Sequence, residues 1–527
     1  MMGTASRHHR WHRASEQLPL LLLASWLFGI AATGCGADPG TWEPCEETLT
    51  CARVVACNAD PGIPDRVVDC DGVYLRTDGR DDRPGTRDKP VATFARAFEL
   101  ARDRGMRVYV CADTFNVEVR VPAGMEVWGG LNCRDPRGHW PLHPLGELTT
   151  ISPGPNLIPV TVVNEAAEPA PENTVSTTLT RMRMIAQDAT VPGGSAIAMR
   201  ALPGVTVDVR LSEIVAGNGA DGPTGPDGGA EPGQEGAPGN PGAVACSAAT
   251  VTGGARVTTS CDDGVSSGGM GGIGTKGDGG DGENGGPLPV TNPMGHGLGG
   301  IGQAVMSCTE GRGGLAGDDG ANGNGASGPG RISDAGLEGT AGEDGQAGQR
   351  GYGGGGGGGS RGGAMFCGAD PAQGGASGGS GGAGGCGGKP GMGGGPGGSS
   401  IGVLAYHASI RVSKTSITTG RGGDGGRGGN GQYGGVGGYG GTGGDNRAGS
   451  QPGCRGGDGG KGGNGGRGGG GHGGHSLAVA HTADLGPSVE PDSPIKFGIP
   501  GDGGGAGDLN ANPGKPGSAA VSMGFQD

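Results

Sequence analysis

Apolar and polar positions first fall into a readable order at Val73-Tyr74-Leu75, a short β-type run. Ten residues rich in turn formers follow, Thr77-Asp78-Gly79-Arg80-Asp81-Asp82-Arg83-Pro84-Gly85-Thr86. Gly and Pro fix dihedrals there that end the run. Phe94, Ala97, Phe98 and Ala101 then recur at i, i+3, i+4 and i+7, the single apolar stripe of a helix, and Gly105 terminates it. Val108-Tyr109-Val110-Cys111 reads as a strand. Val117, Val119 and Val121 alternate with Glu118 and Arg120 in the next, and Met125–Leu131 forms another. The pattern predicts one helix followed by successive short strands.

Further along, the same pattern recurs. Gly194-Ser195-Ala196-Ile197-Ala198-Met199 leads to Ile214-Val215-Ala216-Gly217 and then Asp221-Gly222. Gly398-Ser399-Ser400-Ile401-Gly402-Val403 leads to Ile417-Thr418-Thr419-Gly420 and Asp424-Gly425. Gly474-His475-Ser476-Leu477-Ala478-Val479 leads to Ile495-Lys496-Phe497-Gly498 and Asp502-Gly503, and Gly517-Ser518-Ala519-Ala520-Val521 opens a fourth, partial copy. Alternating strands, Val205–Val209 and Ser409–Val412, lie inside two copies. Ile197 to Asp221 is 24 residues and Ile401 to Asp424 is 23, apart by one coil of a three-sheet β-helix. Each coil of such a solenoid buries its apolar residues only against its neighbours. The expected fold is therefore all-β: a β-helix head over residues 70–221, a coil at 398–424 and a terminal coil and tail at 473–527. Residues 222–397 and 425–472 are insertions looped out of successive coils. The rival arrangement is a folded head with a separate disordered tail.

One stretch carries a family resemblance. Asp78-Gly79, Pro84-Gly85-Thr86, Lys89-Pro90, Thr93 and Ala97, with Val108-Tyr109-Val110 and Val127-Trp128-Gly129-Gly130, resemble the domain-of-unknown-function family that opens many pectin-lyase-like right-handed parallel β-helices. It spans roughly residues 73–131, and Asp113-Thr114-Phe115 departs from the family's usual glycine. The resemblance implies a fold, because the family includes enzymes, adhesins and surface proteins alike.

Composition changes the picture of the second half. Of 132 Gly, 113 lie in residues 211–527, while all five Trp precede residue 141. Two patterns occur in the insertions. Gly219, Gly222, Gly225 and Gly228, then Gly233, Gly236, Gly239 and Gly242, follow period three with a slip. Such runs resemble collagen, but a triple helix needs an unbroken repeat. Elsewhere the pattern is Gly-Gly-x, as in Gly422-Gly423-Asp424-Gly425-Gly426-Arg427. Extended threefold chains of this kind can approach closely and hydrogen-bond side by side as in polyglycine II, offsetting the backbone entropy that Gly loses. The alternative is a flexible coil. With the features of the N-terminus described next, the composition resembles the Gly-rich exported proteins termed PGRS-like.

Residues 1–17 carry Arg7, Arg10 and Arg13, and an apolar run from Leu18 to Ala32 follows. Basic, apolar, then small residues is a secretory signal layout. Ala32-Thr33-Gly34-Cys35 resembles a bacterial lipobox, in which the Cys becomes the acylated first residue of the mature chain. This implies a signal peptide at 1–34, lipidation of Cys35, a Cys-rich linker at 35–69 and attachment to a membrane; Gly36-Ala37 points to the outer one. The alternative is plain secretion, with Cys35 in a disulfide. Setting Cys35 aside leaves twelve Cys, an even number that suits disulfides in an exported chain. The candidates are Cys45, Cys51, Cys57, Cys70, Cys111, Cys133, Cys246, Cys261, Cys308, Cys367, Cys386 and Cys454, with pairing left open.

Loss of the signal takes the formal net charge from −14 to −16, which argues against nucleic acid as a partner. Gly277-Asp278-Gly279-Gly280-Asp281-Gly282 has the acids of a calcium nonapeptide repeat without its aliphatic position, so solvated turn acids are expected rather than a calcium site. His472, His475 and His481 lie close in sequence, but no metal site is assigned to them. No cofactor and no catalytic residue are assigned: no Walker lysine motif, nucleophile elbow or zincin motif occurs. Asp208 and Glu213 of one coil correspond to Arg411 and Ser416 of the next, so no stacked carboxylate row forms for polysaccharide cleavage. The expected role is non-enzymatic, structural or adhesive or for surface display, at the cell envelope, with polysaccharide or envelope proteins as partners. A carbohydrate-binding or carbohydrate-active β-helix is the alternative, with Trp128, Trp140 and Tyr406 as exposed stacking rings. A flexible envelope spacer is a third.

Overall fold

Strands of two to seven residues, rich in Val, Ile and Thr, stack in parallel through three sheets in the computed structural model. It describes residues 72–136, 138, 140–165, 175–367, 373–505 and 512–527. Cys35, Cys45, Cys51, Cys57, Cys70 and the signal segment lie outside the described residues. Gly72–Leu75 opens the first sheet, which continues through Arg107–Cys111, Glu126–Leu131, Val175–Thr180, Val205–Arg210, Ser409–Ser413 and Ser488–Val489. The second sheet stacks Thr114–Phe115, Thr149–Ile151, Met182–Ala186, Glu213–Ala216, Ser416–Thr419 and Ile495–Lys496. The third stacks Val119–Pro122, Val160–Val163, Ala196–Ala201, Ser400–Ala405, Ser476–Thr482 and Ala519–Phe525. Every pairing within these sheets is parallel, so the fold is a parallel β-helix.

The register follows the repeat in the sequence. Ile197 pairs with Ile401, Ile401 with Leu477 and Leu477 with Ala520. Ile214 pairs with Ile417 and Ile417 with Ile495. Inside the coils, Val207, Val209, Ile214, Val403, Val412 and Ile417 are fully buried in one continuous core. Val119 and Val121 point into it, whereas Val117 is 49 % exposed and lies outside the strand whose alternation it extends. The third sheet is covered on its outer face as well. Ile332 and Leu337 of the hairpin Arg331–Ile332/Leu337–Glu338 pack there on Ile197, Ile401, Leu404 and Leu477. Sheet strands buried on both faces lose alternation, and Ser400–Ala405 and Ser476–Thr482 are buried at every residue.

The helix Phe94–Arg104 closes the N-terminal end, burying Phe94, Ala97, Phe98, Leu100 and Ala101. Thr93 caps it, its hydroxyl accepting from the Arg96 N–H, and Gly105 (φ 64°) ends it in the left-handed conformation. The bend between the first and second sheets is made by one left-handed residue per coil: Arg181, Leu211 and Lys414. Hydroxyls stitch these bends together from coil to coil. Met182 N–H donates to Ser212 Oγ, Ser212 N–H to Thr415 Oγ1 and Thr415 N–H to Ser493 Oγ.

The Gly-rich insertions leave the solenoid at one corner, between the second and third sheets: residues 217–399, then 420–475, then 497–518. Of the two arrangements open to them, they take the polyglycine-II lattice within the described residues, because their amides are bonded in register. Gly219, Gly222, Gly225 and Gly228 donate to the carbonyls of Arg421, Asp424, Arg427 and Asn430. Gly426, Gly429, Gly435, Gly438 and Gly441 donate in turn to Gly395, Met392, Cys386, Ala383 and Ser380.

With three residues per turn, successive side chains leave such a chain in three directions. The number of directions facing another chain decides the composition. At the edge, one direction is closed and the pattern is Gly-x-x, as in 219–242, whose other residues are mostly exposed. One layer in, two directions are closed and the pattern is Gly-Gly-x, as in 422–444, where Arg427, Tyr433, Val436, Tyr439 and Thr442 face out. Where a third direction is closed but less tight, only small residues are accepted: Ser377, Ser380 and Ala383 are fully buried. In the middle, the run Gly353–Gly359 has no x position. A Cβ on Gly356 would lie 1.8 Å from Met270 O, one on Gly357 2.1 Å from Cys454 O and one on Gly358 2.1 Å from Ile301 O. These are three different neighbouring segments. The N–H groups of Gly357, Gly358 and Gly359 bond to Gly379, Thr309 and Gly280, which are three more.

Candidate functional site

Two side-chain ladders frame the corner where the chain enters and leaves the lattice. On the exit side, Asp424 N–H donates to Asp221 Oδ1 and Asp502 N–H to Asp424 Oδ1, both at 2.8 Å. Burial raises the Asp424 pKa, but the Asp502 amide and the Arg421 guanidinium outweigh it and hold the carboxyl below its ordinary value. On the return side, Ser399 N–H donates to Ser195 Oγ, His475 N–H to Ser399 Oγ and Ser518 N–H to His475 Nδ1. The Asp-Gly and Gly-Ser (Gly-His) signatures of the repeat are these ladder residues.

His475 thus takes a serine's place, and its other nitrogen donates to Pro329 O at 2.9 Å. Both ring nitrogens are occupied only in the neutral form, and burial pushes its pKa down. His472 lies 5.3 Å away ring to ring and bonds Gly473 O through Nδ1, while His481 bonds Thr482 O. Each of the three histidines thus has a ring nitrogen on a backbone carbonyl, and among the described residues no group of three or more His, Cys, Asp and Glu is arranged to hold a metal ion. Of the acids weighed for calcium, Asp281 accepts the Gly302 N–H and Asp278 faces Arg361.

The cysteines of the insertions pair across the lattice: Cys246–Cys367, Cys261–Cys386 and Cys308–Cys454, each joining segments 121 to 146 residues apart. Cys111–Cys133 ties two residues of the head. Asp208 lies opposite Arg411, 3.7 Å away, and also pairs with Arg210, while Glu213 pairs with Arg183.

The aromatic residues are distributed differently from expectation. Trp140 is not an exposed ring: at 4 % exposure, in the connection between Leu131 and Thr149, it packs edge-on against Tyr74 in a cluster with Tyr109, Cys111 and Leu131. Trp128 is half-buried, with its N–H on Glu126, and Tyr406 is half-buried against His407. Among the described residues the rings that stand clearest are Tyr433 (69 % exposed) and Tyr439 (76 %), both on the lattice, with Phe497 at 37 %.

Tyr433 lies in a trough of about 780 Å³ lined by Asp227, Asp319, Asn430, Asn464, Arg467 and glycine backbone. Four adjacent chains build it. Chain 219–242 bonds to 421–445 and chain 311–325 to 453–471, and these inner two bond to each other through pairs such as Gly462 N–H to Gly435 O and Gly465 N–H to Gln432 O. The trough opens where the threefold period slips. Gly228 bonds Asn430 and Gly233 bonds Tyr433, so five residues of the outer chain span three of the inner one. The excess, around Gly229 to Pro232, bows outward. At the same level Gln432 replaces a lattice glycine. Its Oε1 accepts from Lys389 N–H and its Nε2 donates to Glu231 O, replacing the lost backbone contact. Sequence reasoning registered the slip in period but not what it opens, because the partner chain could not be known.

No family model and no curated protein matches the chain. Among solved structures, a rhamnogalacturonan lyase is similar at 13 % identity with a TM-score of 0.13, over 28 % of this chain and 41 % of that one. The likeness spans less than half the length of that structure and bears on no activity here.

Proposed function

We propose that the protein is a non-enzymatic scaffold of the bacterial cell envelope, held to a membrane through lipidated Cys35 and presenting a rigid, adhesive face. The supporting observation is architectural. All the Gly-rich excursions leave one corner of the β-helix and fold into a single cross-linked lattice whose larger side chains stand in rows on its outside. Backbone packed this closely resists deformation, and exposed rows of side chains on a stiff support suit contact with an extended surface. A flexible spacer would leave these amides to water instead of to one another. Expression of the full chain in a diderm host with an alkyne-palmitate label tests the reading. The intact protein takes the label and sediments with membranes, and Cys35→Ala does neither. A wild-type chain recovered unlabelled in the soluble exported fraction would overturn the anchored role.

A further inference from the structure

We propose that the trough over Tyr433 binds a neutral polysaccharide chain. This gives the adhesive reading its ligand class, and it rests on observations independent of the membrane anchor. The first is that the lattice rule is broken here in a constructed way. Two residues beyond the period are accommodated in the outer chain, and Gln432 bridges both sides of the bulge through its amide. A departure from the local rule that carries its own compensating bonds points to a site.

The second is the chemistry of the floor and rims. Asp227 Oδ1 accepts the Asn430 N–H and Asp319 Oδ1 accepts the Asn464 N–H, so each carboxylate is fixed by the ladder bond while its second oxygen is held at the rim. Asn464 is fixed in turn by the Gly434 N–H on its Oδ1. Between these groups stands the Tyr433 ring. Fixed acceptors and amide donors around an exposed aromatic face match a ligand whose hydroxyls both donate and accept and whose C–H faces stack on a ring. The charge selects among such ligands. Asp227 and Asp319 share the trough with Arg467, and the Lys461 ammonium reaches Asn464 Oδ1 at 3.4 Å, so the charges offset one another and leave no strong positive field of the kind that a uronate polymer, a phosphate or a nucleic acid requires.

The third is direction. The trough runs between straight chains, and the row that holds Tyr433 continues through Val436 to Tyr439, six residues on. At the ~3.1 Å rise of a threefold chain that places the second exposed ring about 19 Å away. Two coaxial rings at that separation fit an extended polymer and not a single sugar.

The test uses the mature, disulfide-intact protein in affinity electrophoresis through gels containing dextran, laminarin, yeast mannan or hydroxyethylcellulose, with polygalacturonate as the acidic comparison. At least one neutral polymer is expected to retard the protein, and Tyr433→Ala to weaken that retardation about five- to tenfold. Tyr433→Phe, which keeps the ring, and Val290→Ala, at a fully exposed position elsewhere, are expected to leave it unchanged. Retardation by none of the neutral polymers, retardation by polygalacturonate alone, or equal retardation of wild type and Tyr433→Ala would each overturn the proposal. None of these outcomes touches the palmitate result, so the two readings fail separately.

Discussion

The smallest change that tests the lattice is one methyl group. A Cβ on Gly381 would lie 1.9 Å from Gly354 O, and both atoms belong to backbone bonded on other sides, so neither can yield alone. Gly381→Ala is expected to lower stability by at least the ~1–3 kcal/mol of core overpacking. Gly277, with nothing within 4 Å of its Cβ position, is the matched control. There Gly277→Ala removes only unfolded-state freedom and should be neutral or stabilising by up to ~1 kcal/mol. Urea unfolding of the two variants decides it, since equal destabilisation would mean that the close approaches are not those described. His475 supplies a pH test at the same scale. Its pKa is lowered in the folded state, so the unfolded chain binds more protons between that value and its ordinary 6.5. Stability is therefore full above pH 6.5 and falls as the pH drops below it. His475→Asn keeps an acceptor for Ser518 N–H without the titration, and melting curves from pH 7.5 to 5 should be flatter for it than for wild type. The ladder residues were legible as a motif before their role was. Asp-Gly and Gly-Ser recur because each side chain accepts the amide of its counterpart one coil on, a relation visible only once the coils are stacked.

Among the elements, the strands were read more reliably than the glycine chains. Strand pairing is specified by the alternation of inward Val and Ile against outward Thr, Arg and Glu, so a shift of one residue would turn the core outward. The Ile197, Ile401 and Leu477 alignment could therefore be made from sequence. A Gly-Gly-x chain has no such marker: a slip of three residues restores the same pattern, and six neighbours are available. Lattice pairing, and with it the disulfide partners, stayed illegible for that reason. What was readable is composition, since Gly-x-x, Gly-Gly-x and Gly-Gly-Gly report how many sides of a chain are covered. Hydrogen exchange tests that reading. The amides of Gly354–Gly359 should be among the slowest in the molecule, although this is its most glycine-rich stretch. Exchange there at random-coil rates would show that the lattice does not form. The cross-links contribute at this scale too. Replacing Cys261 and Cys386 by Ala together is expected to cost about 2–5 kcal/mol, because the bond closes a loop of 125 residues.

At the scale of the whole molecule, the β-helix and the lattice are interleaved in sequence: three excursions separate successive coils, and the strand Ala519–Phe525 follows the last of them. Trypsin cleavage of the native protein should therefore give no separable head and tail, even where an exposed loop is nicked. Fragments are expected to remain associated on gel filtration until both denaturant and reductant are added. A freely released Gly-rich fragment would support the head-and-tail arrangement instead. The shared exit corner also sets the order of assembly. In the third coil the corner between Ala186 and Ala196 holds nine residues, whereas in the fourth Ala216 and Ser400 are separated by 183. Loop closure grows only logarithmically, so the longer connection costs about 3 kcal/mol more in entropy, an amount that burial of one or two side chains can offset. The burden is one of time and not of equilibrium. The first three coils hold mainly short-range contacts and can form as soon as they are available, while the fourth must wait until some two hundred further residues have been made and threaded. The edge left by Ala196–Ala201 then acts as a template held open for a strand that arrives last, and a chain truncated before residue 400 would present that edge bare, as an invitation to aggregate.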